Sequence, residues 1–217
     1  MIRSACLAAT MLWAPAAANA AVLYTQGPIA NVVWASQNDT TGGNGNFATA
    51  YDNFTLASTN TVTGLEFTGQ FFNPPQLATI TAFTVNFYAD NMGQPGGTLV
   101  SSFTAGNASQ NCTGVVCSYN LGVNFNASAG TTYWLSIVPD MGFPPQWGWQ
   151  GGTGGNGTSY QDFFGTRLQN ASDLAFTLTG GAVPEPSTWG LLILGFGLIG
   201  GTMRQTRRKT RTALVTA

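Results

Sequence analysis

The residue types that carry most enzyme chemistry are scarce in this chain. Histidine is absent from all 217 residues, which removes Ser-His-Asp and Cys-His catalysis and every histidine-based metal site. Glu66 is the only glutamate between residues 21 and 182, and Asp39, Asp52, Asp90, Asp140, Asp162 and Asp173 are scattered along the same stretch. A glycosidase needs two carboxylates facing one bond, and no spacing here brings two together. Asp90 and Asp140 sit beside turn-rich segments, where aspartate serves as a turn former. Asp39, Asp52 and Asp90 offer oxygen ligands of the kind calcium takes. No calcium-loop motif surrounds them, so solvated turns are the expectation. With no acid/base pair and no nucleophile–base motif, a non-enzymatic protein without a metal or cofactor is expected.

Two spacings carry more meaning. Trp147-Gly148-Trp149-Gln150 lies between a Pro-Pro turn and a Gly/Asn-rich stretch. On a strand, Trp147 and Trp149 share one face, while Gln146, Gly148 and Gln150 take the other. An exposed face of that kind would stack on sugar rings and bond their hydroxyls. The competing expectation is that both rings belong to the core, as tryptophans mostly do. Trp34, Trp134 and Tyr160 read as packing residues. Cys112 and Cys117 are separated by Thr-Gly-Val-Val. That is not a redox spacing, and two thiolates make a poor zinc site. In an oxidising compartment the pair is expected to close a local disulfide.

These residues sit in a body with a β pattern. Phe83, Val85 and Phe87 alternate with Thr84, Asn86 and Tyr88. Tyr119, Leu121, Val123 and Phe125 alternate with small or polar neighbours. Tyr133, Leu135 and Ile137 do the same with Trp134 opposite, and Leu174, Phe176 and Leu178 repeat the pattern. Period two with one buried face marks antiparallel strands. Residues 32–35, 51–56, 63–71 and 98–103 are further candidates. Turn-forming clusters fall at 42–46, 73–75, 91–97 and 151–157, and no segment shows a helical stripe. An all-β, jelly-roll-like antiparallel sandwich of roughly eight to ten strands is expected over residues 21–182.

The surface is polar but nearly uncharged. Charged residues make up 7% of the chain and there are 28 glycines, against roughly 25% charged residues in an ordinary soluble domain. Arg167 is the only basic residue of the body, which has no lysine. An acidic body repels phosphate backbones, so no nucleic-acid partner is expected. Sequons at Asn53, Asn107, Asn126 and Asn170 follow from a chain dense in Asn, Ser and Thr.

The two ends read as addresses. Met1–Ala20 has Arg3, a short apolar core from Ala5 to Ala14 and a terminal Ala18-Asn19-Ala20, the pattern of a signal peptide cleaved before Ala21. Cys6 leaves with it. At the other end a short linker precedes Pro184-Glu185-Pro186, which stiffens the chain. An apolar stretch, expected as a transmembrane helix over about 188–203, follows. Arg204, Arg207, Arg208, Lys209 and Arg211 come next, and then a tail of residues 212–217. Trp189 to Met203 would rise roughly 22 Å as a helix, short of the roughly 30 Å hydrocarbon core. Trp189 at one interface and a snorkelling Arg204 at the other close much of the gap. The basic cluster places the tail in the cytoplasm and the body outside. Gly197 and Gly201 have the spacing of close helix contact.

Val183-Pro-Glu-Pro-Ser-Thr-Trp-Gly190, the Gly/Leu-rich span and the basic end resemble the PEP-CTERM sorting signal of Gram-negative, exopolysaccharide-producing bacteria. The resemblance covers residues 183–211. It implies recognition of Pro184, Glu185 and Pro186 by exosortase, a membrane-embedded cysteine protease, and release of the body to the cell surface or medium. The expected function is that of an exported surface or matrix protein associated with exopolysaccharide or biofilm. The alternative is a lectin-like carbohydrate-binding module with the same address.

Overall fold

The computed structural model describes residues 20–106, 110–181, 190 and 192–199. The chain divides into a body, Ala20–Gly181, and the two ends, Met1–Asn19 with Ala182–Ala217. The expected signal peptide up to Asn19, the Pro-Glu-Pro tripeptide, the basic cluster, the tail and Asn107 lie outside the described residues.

Among the described residues fourteen strands build the body: β1 (Ala21–Ala35), β2 (Gln37–Asp39), β3 (Gly45–Thr55), β4 (Asn60–Phe72), β5 (Ala82–Ala89), β6 (Leu99–Gly106), β7 (Asn111–Thr113), β8 (Val116–Ala127), β9 (Thr132–Met141), β10 (Gln146–Thr153), β11 (Ser159–Phe163), β12 (Thr166–Asn170), β13 (Asp173–Leu174) and β14 (Phe176–Gly180). They form two seven-stranded sheets, ordered β13-β10-β1-β14-β4-β8-β7 and β12-β11-β3-β2-β9-β5-β6. The chain passes from one sheet to the other after β1, β3, β4, β6, β8, β9, β10 and β12. Pairing is antiparallel among the described residues except for β2 beside β9. Strand β14 lies between β1 and β4, with Gly180 opposite Ala21.

The core forms where alternation puts apolar side chains between the sheets. β5 buries Phe83, Val85 and Phe87 and leaves Thr84, Asn86 and Tyr88 on the outer face, and β8 alternates along its whole length. Phe87 stacks on Phe125 across the sandwich with ring centroids 4.2 Å apart, and Phe67 meets Phe83 edge-on at 5.2 Å. Such pairs add to the burial energy of the rings themselves. The all-β sandwich expected from the sequence is present, with more strands than the eight to ten anticipated.

The additional strands arise for local reasons. β1 begins at Ala21, well before the expected start at Val32, and much of its early half is exposed and pairs with β14. Its register shifts between Pro28 and Val33; proline has no N–H to donate to the ladder. The glycines at 151 and 152, expected as a turn, continue β10. A Cβ on Gly152 would lie 2.5 Å from the Leu174 backbone, so the absence of a side chain admits a close neighbour. The alternation across Leu174, Phe176 and Leu178 is interrupted at Ala175. The Ala175 N–H donates to the Gln150 carbonyl, and its own carbonyl accepts from Thr68. There β4 changes partner from β14 to β10.

Cys112 and Cys117 form a disulfide across the β7–β8 hairpin. The sequence separation is 5, so bond formation removes little unfolded-state entropy, about 2 kcal/mol by the chain-entropy estimate. Cys112→Ser is expected to lower the unfolding free energy by no more than ~2 kcal/mol. Urea titration checks this, and loss of the cooperative transition would contradict a local role.

At the other end of the chain, Gly190 and residues 192–199 are helical. Leu192, Ile193, Leu194, Phe196 and Leu198 are exposed. Among the described residues no helix is long and apolar enough to cross a membrane. The expected span of about 188–203 is thus seen only in its middle, and its ends fall outside the described residues.

Candidate functional site

Trp147 and Trp149 lie on one face of β10, as the spacing predicts, but that face is the interior. Both are 0% exposed. The Trp147 indole N–H donates to the Tyr119 hydroxyl at 3.1 Å, and Trp149 donates to the Ala175 carbonyl at 2.8 Å. Rings so enclosed present no face to a sugar, which corrects the aromatic-platform expectation for these two residues. The opposite face of β10 is buried as well. Gln146 and Gln150 are covered, and the neighbouring Gln37 carboxamide accepts from the Trp147 N–H at 2.9 Å. Burial of Tyr119 pushes its hydroxyl up to about 12, so it stays neutral as a partner for Trp147.

Trp134 leaves β9 on the outer face, as expected, and is nonetheless covered. Its N–H donates to Asp90 Oδ1 at 2.7 Å, and Tyr160 packs edge-on at 5.5 Å. Asp90 also accepts from the Gly93 N–H at 3.0 Å, which closes the β5–β6 turn. Asp39 accepts from the backbone N–H groups of Gly42, Thr41, Asn44 and Phe143, and Asp52 from those of Asn53 and Leu174. These aspartates organise backbone. Among the described residues no three acidic or cysteine side chains converge as a metal site.

The outer face of the second sheet holds an arrangement that no spacing in the sequence singled out. β3 contributes Thr49 and Tyr51, β5 contributes Thr84, Asn86 and Tyr88, and β9 contributes Val138 and Asp140. Together with Asn38 and Asn46 they line a cleft of about 160 Å³. The Tyr51 and Tyr88 rings meet edge-on at 5.9 Å. Tyr51 donates to Asp162 Oδ2 at 3.2 Å. Burial first, and then the Asp162 carboxylate, push the Tyr51 hydroxyl above its ordinary range, so it acts as a neutral donor. Arg167 grips Asp162 with two hydrogen bonds of 2.7 Å, and its guanidinium lies 5.4 Å from the Tyr51 ring centroid. The same Arg167 reaches the Pro95 carbonyl and so ties the β5–β6 turn to the cleft wall. Asn38 donates to Asp140 Oδ1 at 2.8 Å on the opposite side. A second hollow, of about 310 Å³, lies over the first sheet. Its lining includes Glu66, Ser118, Asn120 and Thr177, and Glu66 accepts from Asn120 there at 3.2 Å.

The first cleft escaped the sequence reading because its members come from four strands far apart in the chain. One signal was available: the polar partners in the β5 alternation are Thr84, Asn86 and Tyr88, a chemically rich outer row.

Comparison with known proteins concerns the chain end. A family model described as the PEP-CTERM protein-sorting motif matches residues 182–209. The C-terminal segment is a PEP-CTERM sorting motif. The PEP-CTERM match includes Pro184, Glu185 and Pro186, the apolar stretch, and the basic residues Arg204, Arg207, Arg208 and Lys209. Arg211 falls just beyond it. A PEP-CTERM motif implies export and sorting by exosortase. No curated protein matches the chain.

Proposed function

We propose that this is a non-enzymatic surface or extracellular-matrix protein, sorted by exosortase and associated with exopolysaccharide. The PEP-CTERM motif at residues 182–209 carries the reading. In this reading Met1–Ala20 directs export and is removed. The segment of about 188–203 holds the chain in the inner membrane, with Arg204, Arg207, Arg208, Lys209 and Arg211 on the cytoplasmic side. Exosortase then recognises Pro184-Glu185-Pro186 and frees the body. The exposed apolar side chains of the helix at 192–199 are compatible with a lipid or membrane-protein environment. The body is the cargo, a jelly-roll-like sandwich. Its principal strands stand in the orders β1-β14-β4-β8 and β3-β9-β5-β6.

The non-enzymatic assignment is supported by how the body's acids are used. Each of Asp39, Asp52, Glu66, Asp90, Asp140, Asp162 and Asp173 accepts a hydrogen bond from a donor of the chain itself. No histidine is present to act as a base.

Intact-mass measurement of the protein recovered from the cell surface and medium tests the sorting. The expected masses correspond to a chain starting at Ala21 and ending close to Pro186. A mature extracellular form still carrying Arg204 to Arg211 would overturn exosortase processing.

A further inference from the structure

We propose that the cleft on the outer face of the second sheet binds one residue of an uncharged polysaccharide. Tyr88 and the open part of Tyr51 supply the stacking surface. Asn86 and Thr84 supply the hydroxyl-binding groups, and Ser136 lies beneath them. The inference rests on the reading of the body as a polysaccharide-associated cargo, and it names the surface and the class of sugar.

Ser136 is the decisive observation. It is fully buried, and its Oγ is the one buried side-chain polar atom without a hydrogen-bond partner among the described residues. Its neighbours Leu135 and Ile137 point into the core, so Ser136 leaves β9 on the cleft side. There it stands in register between Tyr51 of β3 and Asn86 of β5. Buried hydroxyls are ordinarily paired. An unpaired one beneath the floor of a polar cleft marks a place where a bound hydroxyl or a bridging water completes the set.

Other groups point the same way. The side chains of Thr84, Asn86 and Tyr88 line the cleft and make no side-chain hydrogen bond among the described residues. An amide offers both donor and acceptor, and a hydroxyl does the same. Sugar hydroxyls need that mixture. By contrast, Tyr51, Asn38 and Asp140 are already fixed by partners, which holds the walls in place. The cleft volume of about 160 Å³ suits a single ring of a chain lying across the strands.

Charge selects the class of sugar. The lining contains Asp140 and no basic residue, and the nearby Arg167 is neutralised by Asp162. A uronate or sulfated polymer would meet repulsion without compensation. A neutral hexose polymer meets none.

The test is equilibrium binding of the full chain, held in a detergent without a sugar headgroup, to neutral gluco-, galacto- and manno-oligosaccharides. Alginate serves as the anionic comparison. At least one neutral series is expected to bind, with alginate weaker. Asn86→Ala and Tyr88→Ala are each expected to weaken that binding at least tenfold, whereas Asn120→Ala, on the other sheet, leaves it unchanged. Asn86 is only partly buried, so its variant decides the matter if Tyr88→Ala does not fold. Absence of binding to all neutral series overturns the proposal. So does preference for alginate, or binding unaltered in a folded Asn86→Ala protein. None of these results touches the mass of the processed chain, so failure of the cleft and failure of the sorting assignment are separately visible.

Discussion

Trp147→Ala is expected to lower the unfolding free energy by about 3–5 kcal/mol, a large part of the roughly 5–15 kcal/mol that stabilises a whole domain. The indole is fully buried and meets Phe67, Phe83 and Tyr119 edge-on at centroid distances of 6.3, 5.9 and 6.0 Å. Its removal leaves a cavity at the centre of the sandwich and orphans the Tyr119 hydroxyl, which accepts the indole N–H. The surroundings are shaped for this ring. A Cβ on Gly69 would come within 2.0 Å of Trp147 Cζ2, so the neighbouring strand β4 of the same sheet carries no side chain where the ring lies. Urea unfolding followed by tryptophan fluorescence and far-UV circular dichroism reads the loss. A change below about 0.5 kcal/mol, the range of ordinary surface substitutions, would place Trp147 on the surface and contradict the fold.

Asp39→Ala is expected to cost about 2–4 kcal/mol, because several charge-assisted hydrogen bonds are lost at once. Oδ1 accepts from Gly42 at 2.7 Å, Thr41 at 3.0 Å and Phe143 at 3.1 Å. Oδ2 accepts from the Asn44 backbone at 3.1 Å and its side chain at 2.8 Å. One carboxylate thus folds the β2–β3 turn and fastens it to the segment between β9 and β10. The Gly42 N–H, with those of Thr41, Asn44 and Phe143, holds this carboxyl well below its ordinary value of 3.8, against the opposing effect of burial. The folded protein therefore binds fewer protons here than the unfolded chain. The Asp39 contribution is complete above the unfolded pKa and is lost as pH falls towards the folded one. Urea midpoints measured from about pH 6 down to about pH 2 should fall in acid for the native chain and fall less steeply for Asp39→Asn. Parallel curves would show that another group governs acid stability.

Legibility in the sequence followed the physical rule that each segment obeys. β5, β8 and β14 each bury one face, so alternation alone revealed them. β9 and β10 are buried on both faces, and period two then says only which residues share a side. For Trp147 and Trp149 it could not say that the side was the interior. β11 and β12 carry mixed polar and apolar residues without a clear pattern; they are held by pairing with β3 and by the Arg167–Asp162 bridge. Such long-range pairing leaves no local trace. The disulfide was readable because both cysteines sit in one hairpin. The cleft was not, because Ser136 stands out only when its neighbours in register, Tyr51 and Asn86, are known. The address at the chain end was the most readable feature, since its tripeptide, apolar stretch and basic cluster are contiguous in sequence.

The position of β14 has a mechanical consequence. The sorting segment continues from the end of this strand, and the strand is clasped on both sides, by β1 and by β4. A load applied along β14 would act across ladders whose hydrogen bonds lie perpendicular to the strands. Bonds on both flanks would share such a load at once, where a sheet edge offers only one flank. The last strand of the body thus stands where a load on the chain beyond it would be shared by two neighbouring strands.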